Sequence, residues 1–136
     1  MTIQKKLTLE FYQNLGKLFY AIAASDGVVR DLEFAKLKAL VKQQWLEVDD
    51  VLDAFGADAA YQIEIVFDWL NEEDLTSAEI CFNDFVNYKK EQAHLFTDKV
   101  KSLILKTASA VAYAFSGINK AELIMLAKLE MALKNI

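Results

Sequence analysis

The chain has 136 residues, with four glycines, no proline, 54% hydrophobic residues, 26% charged residues and a formal net charge of −5. This composition excludes a disordered or collagen-like chain, because such chains carry far more glycine, proline or charge and less apolar surface. It also argues against a nucleic-acid binder, since affinity for phosphate requires a basic face. We expect a single domain over residues 1–136, built from long uninterrupted helices.

Neither a disulfide framework nor a membrane span is expected. The single cysteine, Cys81, cannot form an internal disulfide and lies in an apolar pattern, so we interpret it as a small core residue. The longest uncharged stretch, residues 107–119, is shorter than the roughly 20 apolar residues of a membrane-spanning helix. No apolar signal-peptide region follows the first six residues. These features predict a cytoplasmic protein.

The first two predicted helices form a hairpin. Residues 8–25 form the first helix, because apolar residues recur at steps of three and four and Asp26-Gly27 then ends the pattern. Residues 31–45 form the second helix. The expected core positions of the pair are Phe11, Leu15, Leu18, Ile22, Phe34, Leu37, Val41 and Trp45.

Three helices are predicted in the middle of the chain. A short helix covers residues 47–55, and a longer one covers residues 58–70. Thr76 followed by Glu79 matches a capping box, which predicts a helix from Thr76 to about residue 94.

The last two predicted helices form a second hairpin. Thr97 caps a long helix that ends at Ser116-Gly117, and Asn119 caps a final helix with Glu122 at its third position. No run of alternating polarity is long enough for a strand. The sequence therefore predicts an all-α protein, a compact bundle of about six to seven helices.

The sequence indicates structural roles for three further residues and no chemical role for His94. Trp45 and Trp69 are expected to anchor the core, and Gly16, inside the first helix, indicates a close helix contact. His94 is the only histidine and has no cysteine near it in sequence, so we assign it no zinc-binding or catalytic role.

The two hairpins form a weak internal repeat, at about residues 15–45 and 105–134. Residues 20–27 correspond to residues 110–117, and Glu33 corresponds to Glu122. Each copy has a small-residue helix, a glycine stop, a short turn and a helix with glutamate in its first turn. We expect the two hairpins to pack with pseudo-twofold symmetry into one helical core.

The turn between the first two predicted helices contains the only group of residues in the sequence that suggests a binding or catalytic site. Asp26, Asp31 and Glu33 lie where the turn brings the second helix back to the end of the first. Carboxylates and turn carbonyls suit a hard cation such as Ca²⁺, Mg²⁺ or Mn²⁺, although the spacing excludes an EF-hand loop. The alternative is structural: acids favour the first turn of a helix, and Arg30 can pair with Asp26.

The residues around this turn resemble the signature of a known protein family. Residues 18–29 (LFYAIAASDGVV), followed by Glu33, resemble the signature of the TerB-like tellurite-resistance family, which also occurs at the N-terminus of a membrane-anchored DnaJ-type co-chaperone. The resemblance implies an all-helical fold with two related halves and a metal ion held by acids at the helical turns. It matches those acids to Asp26, Asp31, Glu33 and Glu122. Ser116 stands where the second copy would carry an acid, so binding is expected to be weak.

Three functions are compared on this basis. The first is a non-catalytic TerB-like accessory protein in tellurite or chemical stress, with a weak Ca²⁺, Mg²⁺ or Mn²⁺ site. The second is a plain protein–protein interaction module whose acids are only helix caps. The third, a hydrolase, is not expected, because nothing makes the remaining carboxylates converge. A protein partner is expected, with the chain as a monomer or a homodimer.

Overall fold

The computed structural model describes residues 8–27, 29–46, 58–73, 77–114 and 119–134. Within these ranges the protein is all-α, with no strand. The α-helices are α1 (Leu9–Ala23), α2 (Asp31–Leu40), α3 (Gln62–Glu73), α4 (Ala78–Glu91), α5 (Asp98–Tyr113) and α6 (Lys120–Lys134). The helix predicted at residues 47–55 and the glycine stop at Gly117 lie outside the described residues. No described helix has the length and apolar character needed to cross a membrane.

Helix α1 is the centre of the bundle. Thr8 starts it, because its Oγ1 accepts a hydrogen bond from the backbone N of Phe11 at 3.1 Å. Helices α3, α4, α5 and α6 all pack against α1. The predicted core positions Phe11, Leu15 and Leu18 are buried in a hydrophobic cluster that extends from α1 to α6. Burial of this apolar face is what drives the other helices around α1.

Gly16 is the point of closest approach between α1 and α3. A Cβ at Gly16 would lie 2.7 Å from the backbone O of Ile63 and 2.8 Å from Cβ of Val66. Contacts this short are not tolerated by real side chains, so only glycine lets the two helices come together here. The predicted close contact at Gly16 is confirmed.

The two hairpins pack on one another reciprocally. Helix α2 of the first hairpin packs on α5 of the second, and α6 of the second packs on α1 of the first. This arrangement carries the turn between α1 and α2 next to the start of α6, where Asn119 donates a hydrogen bond to Asp26.

Helix α2 is shorter than predicted. It ends at Leu40, and a π-helical turn, Val41–Trp45, continues the chain to the residue where a single α-helix had been expected to end. Trp45 is fully buried there, and its Nε1 donates a hydrogen bond to Thr107 Oγ1 at 3.0 Å. The wider turn accommodates this contact, because packing of a large side chain outweighs ideal helix geometry.

Helix α4 also differs from the prediction at both ends. Its N-cap is Ser77, whose Oγ accepts from the backbone N of Ile80 at 3.1 Å, so the prediction of Thr76 as the cap was wrong by one residue. At the other end the helix stops at Glu91, and a 3₁₀ turn, Ala93–Leu95, follows. Thr76 and Ser77 are both favourable N-cap residues, so local sequence does not distinguish them, and helix ends are in general placed only to within one or two residues.

The two tryptophans have opposite environments. Trp45 is buried as predicted, whereas Trp69 on α3 is 53% exposed, so its assignment to the core was wrong. Helix α3 buries Ile63, Phe67 and Leu70, and Trp69 lies two residues beyond Phe67 and one before Leu70. At a helical period of 3.6 residues the indole therefore points away from the core.

Candidate functional site

The two interhelical turns hold a glutamate in the same way. In the first turn, the backbone N of Arg30 donates to Oε1 of Glu33 at 2.8 Å. In the second, the backbone N of Asn119 donates to Oε1 of Glu122 at 3.3 Å, and the N of Glu122 donates to Oδ1 of Asn119 at 2.8 Å. Each glutamate closes the start of its helix and so uses one of its two carboxylate oxygens.

The fold brings these two glutamates together in the interior. Glu33 is 0% exposed and Glu122 is 1% exposed, and their carboxyl groups are close enough for a mutual hydrogen bond. Among the described residues, neither Oε2 atom has a hydrogen-bond donor. A buried acceptor without a donor is costly, and a proton or a cation shared by the two carboxyl groups would relieve that cost.

The buried pair changes the acidity of Glu33. The pKa of Glu33 is raised from 4.5 to about 8, mainly because the carboxyl group is buried and further because of the hydrogen bond and negative charge of Glu122. The backbone N–H and the charge of Arg30 oppose that rise in pKa. Glu33 therefore keeps its proton at neutral pH when no cation lies between the two carboxyl groups.

Asp26 joins the two turns without joining the glutamate pair. Its Oδ2 accepts hydrogen bonds from Nη1 of Arg30 at 3.0 Å and from Nδ2 of Asn119 at 2.7 Å. The same Arg30 Nη1 is 3.8 Å from Oε1 of Glu33. The predicted pairing of Arg30 with Asp26 is confirmed, and Asp26 holds the residues that position both glutamates.

Of the four predicted ligands, the structure thus pairs Glu33 with Glu122 and places Asp26 beside them. Asp31 is exposed, and no hydrogen bond or ion pair among the described residues links it to the pair. In the described part of the chain, no group of three or more His, Cys, Asp or Glu residues is placed to hold a metal ion. Ser116 lies outside the described residues.

The family resemblance placed Glu33 and Glu122 in one predicted site, as ligands of a shared metal ion. Two contacts were not predicted: the direct interaction of the two carboxyl groups, and the hydrogen bond from Asn119 to Asp26. The repeat contained the signal for the first, because it aligned the two glutamates at equivalent positions. Nothing in the spacing of Asn119 indicated a partner 93 residues away.

Cys81 is buried in the core, as predicted. His94 is exposed in the 3₁₀ turn after α4, beyond the end of the helix in which it was expected to lie.

No family model, no curated protein and no solved structure matches this chain.

Proposed function

We propose that this chain is a non-catalytic, TerB-like accessory protein that binds one divalent cation weakly between Glu33 and Glu122. The observation that carries the proposal is the contact of two buried carboxyl groups, each with an Oε2 atom that has no hydrogen-bond donor among the described residues. Two carboxylates supply charge that a divalent cation balances, and their oxygens are the donors preferred by Ca²⁺, Mg²⁺ and Mn²⁺.

The number of open oxygens limits the affinity. Glu33 and Glu122 each have one oxygen occupied by a backbone N–H, and Oδ2 of Asp26 already accepts from Arg30 and Asn119. Few charged ligands in a calcium site correspond to dissociation constants of about 10⁻⁴ to 10⁻³ M. The pair fits a hard cation, and we expect millimolar or slightly tighter binding.

The absence of catalysis is part of the proposal. Acid–base catalysis needs carboxylates that a substrate can reach, and these two are almost completely buried. Neither glutamate lines the groove between α4 and α6 or the cleft beside Gly27.

The cellular role is proposed from the resemblance of residues 18–29 and Glu33 to the TerB-like signature. It is an accessory role in the response to tellurite or related chemical stress. Growth under tellurite of a host that produces the native chain, compared with one that produces Glu33→Gln, tests it. Equal growth of the two cultures, and of a host without the protein, would contradict this role.

Calorimetric titration with Ca²⁺, Mg²⁺ and Mn²⁺ tests the cation site. It should be done above pH 8, where Glu33 gives up its proton more readily. We expect heat with the native chain and with Glu10→Gln, a matched control because Glu10 is an exposed first-turn glutamate of α1. We expect no heat with Glu33→Gln or Glu122→Gln.

Two results would overturn this assignment. One is the absence of heat from the native chain at about 10 mM cation, well above the weakest calcium sites. The other is loss of binding in Asp31→Asn, because a site made by the two buried glutamates does not use that exposed carboxylate.

A further inference from the structure

Helix α3 carries a second row of residues on the side opposite its buried face. The row, here called the outer stripe of α3, has four members spaced three and four residues apart: Ile65, Asp68, Trp69 and Glu72. At 100° per residue, this spacing puts them on one side of the helix, away from the residues that pack on the core. The outer stripe therefore faces outward along most of α3.

Two members of the outer stripe are large apolar side chains in contact with solvent. Ile65 is 51% exposed and Trp69 is 53% exposed. They are four residues apart, so their side chains are neighbours on the helix surface and form one patch. Tryptophan is on average a highly buried residue, and an apolar patch rimmed by polar groups is typical of an interaction site.

The patch lies in a strongly acidic setting. Helix α3 has four carboxylates and no basic residue, and two of the carboxylates, Asp68 and Glu72, belong to the outer stripe. The ion pairs among the described residues include neither of them. Lys38 of α2 acts electrostatically on Glu64, which lies outside the outer stripe. The negative charge beside the apolar patch is thus not balanced within the described part of the chain.

We propose that the outer stripe of α3 binds a basic amphipathic helix of a partner protein. Apolar residues of that helix cover Ile65 and Trp69, while its lysines or arginines face Asp68 and Glu72. The indole of Trp69 adds to this preference, because an aromatic face attracts a Lys or Arg cation. Neither glutamate of the proposed cation site is on α3, so this inference does not depend on the proposed function.

The charges disfavour the other possible occupants. A second copy packed on the outer stripe about a twofold axis would bring Asp68 and Glu72 of both copies together, and like charges across an interface are costly. The formal net charge of −5 also opposes self-association. Nucleic acids and anionic membrane surfaces are repelled by the same carboxylates. A basic protein segment satisfies both the apolar and the acidic members of the stripe.

Titration of the full chain with a synthetic peptide tests the proposal. The peptide is a helix of about 18 residues with leucines on one stripe and lysines elsewhere, and its control carries glutamine in place of lysine. By calorimetry we expect a dissociation constant of about 1–100 μM for the lysine peptide and at least tenfold weaker binding of the glutamine peptide. Binding should also shift the tryptophan fluorescence, because Trp69 is exposed whereas Trp45 is fully buried.

The apolar half of the surface is tested by truncation. Trp69→Ala should weaken binding of the lysine peptide at least about tenfold, as expected for an aromatic anchor at the centre of an interface. Ile65→Ala should weaken it by a smaller factor. Ile80→Ala is the matched control, because Ile80 is an isoleucine on α4 with a similar exposure of 54%. It should leave the affinity unchanged.

The acidic half is tested by neutralisation. Asp68→Asn combined with Glu72→Gln should weaken binding about threefold to tenfold and reduce its dependence on salt, because exposed charge pairs contribute little each and are screened by ions. Glu91→Gln is the control, since Glu91 is an exposed acid at the end of α4. This variant should behave as the native chain does.

Four results would overturn the proposal. The first is the absence of both heat and a fluorescence change at about 1 mM lysine peptide. The second is equal affinity for the lysine and glutamine peptides, and the third is an equal loss of affinity in Ile80→Ala and Ile65→Ala. The fourth is a concentration-dependent dimer in sedimentation that Trp69→Ala abolishes, because it would assign the outer stripe to a second copy of the chain.

Discussion

The two hairpins of this protein have similar turns but different surroundings. Both place a glutamate at the third position of their second helix and bury it. Beyond the turns they diverge: α1 buries most of its length among four helices, whereas α6 buries only Glu122, Leu129 and Leu133. The comparison teaches that a local repeat determines how a turn is capped, while the neighbouring helices determine what the rest of the hairpin does.

The largest expected effect is on the pH dependence of stability, and it comes from Glu33, one of the two buried glutamates that the turns hold in the same way. Between pH 4.5 and about 8 the folded chain keeps a proton on Glu33 that the unfolded chain has lost. The folded state binds more protons there, so its stability should fall as pH rises through this window and level off above it. The fall is at most about 1.4 kcal/mol per pH unit.

Denaturant unfolding at a series of pH values, with a chelator present, measures this slope. Glu33→Gln should flatten it, and Glu10→Gln should leave it unchanged. If the difference in stability between native and Glu33→Gln chains is the same at every pH, the two carboxyl groups do not share a proton.

The next effect compares stability changes at equivalent positions of the two hairpins, Gly16 in the first and Lys106 in the second. Gly16→Ala adds a Cβ within 2.8 Å of α3. We expect a net loss of about 1–2 kcal/mol, because overpacking costs about 1–3 kcal/mol and the gain in helix propensity offsets part of it. Lys106 precedes Gly117 by the same eleven residues by which Gly16 precedes Gly27, but it is exposed. Lys106→Ala should change stability by less than about 0.5 kcal/mol.

Urea unfolding of both variants makes this comparison. An equal loss in Gly16→Ala and Lys106→Ala would mean that the central position of α1 has no special packing requirement.

The smallest effect concerns the link between the turns. Asn119 caps α6 and also donates to Asp26, whereas Thr97 only caps α5 among the contacts described. Thr97→Ala should cost about 1 kcal/mol, the usual value for a lost cap. Asn119→Ala should cost roughly 1 kcal/mol more, because a hydrogen bond to a charged group is lost with the cap. Thermal unfolding of the two variants measures both losses of stability. If the losses are equal, the hydrogen bond from Asn119 to Asp26 does not stabilise the packing of the two turns.

Local sequence predicted the helix caps and turns, but it placed the helix ends only approximately. Gly27 adopts the left-handed conformation expected of it, with φ of 87°. Helix α1 nevertheless ends at Ala23, before the predicted residue 25, because Ala24 is its C-cap and Gly27 N closes a further turn on Ala24 O. Local signals place a turn well and a helix end only approximately.

Contacts between distant residues were less predictable. Trp45 and Trp69 look alike in composition, yet one is buried against Thr107 and the other is exposed. The close approach at Gly16 was expected, but its partner on α3 was not. Such contacts depend on which helix faces which, and periodicity within one helix does not contain that information.

The sequence by itself determined that the chain is helical, which residues of α1 face the core, and that Glu33 and Glu122 occupy equivalent first-turn positions. These features depend on the period of apolar residues and on hydrogen bonds within a few residues. Only the tertiary structure decided that the two carboxyl groups meet, lose contact with water and leave two oxygens without a donor among the described residues. That outcome depends on the reciprocal packing of the hairpins, which carries the two glutamates, 89 residues apart in sequence, to one buried point.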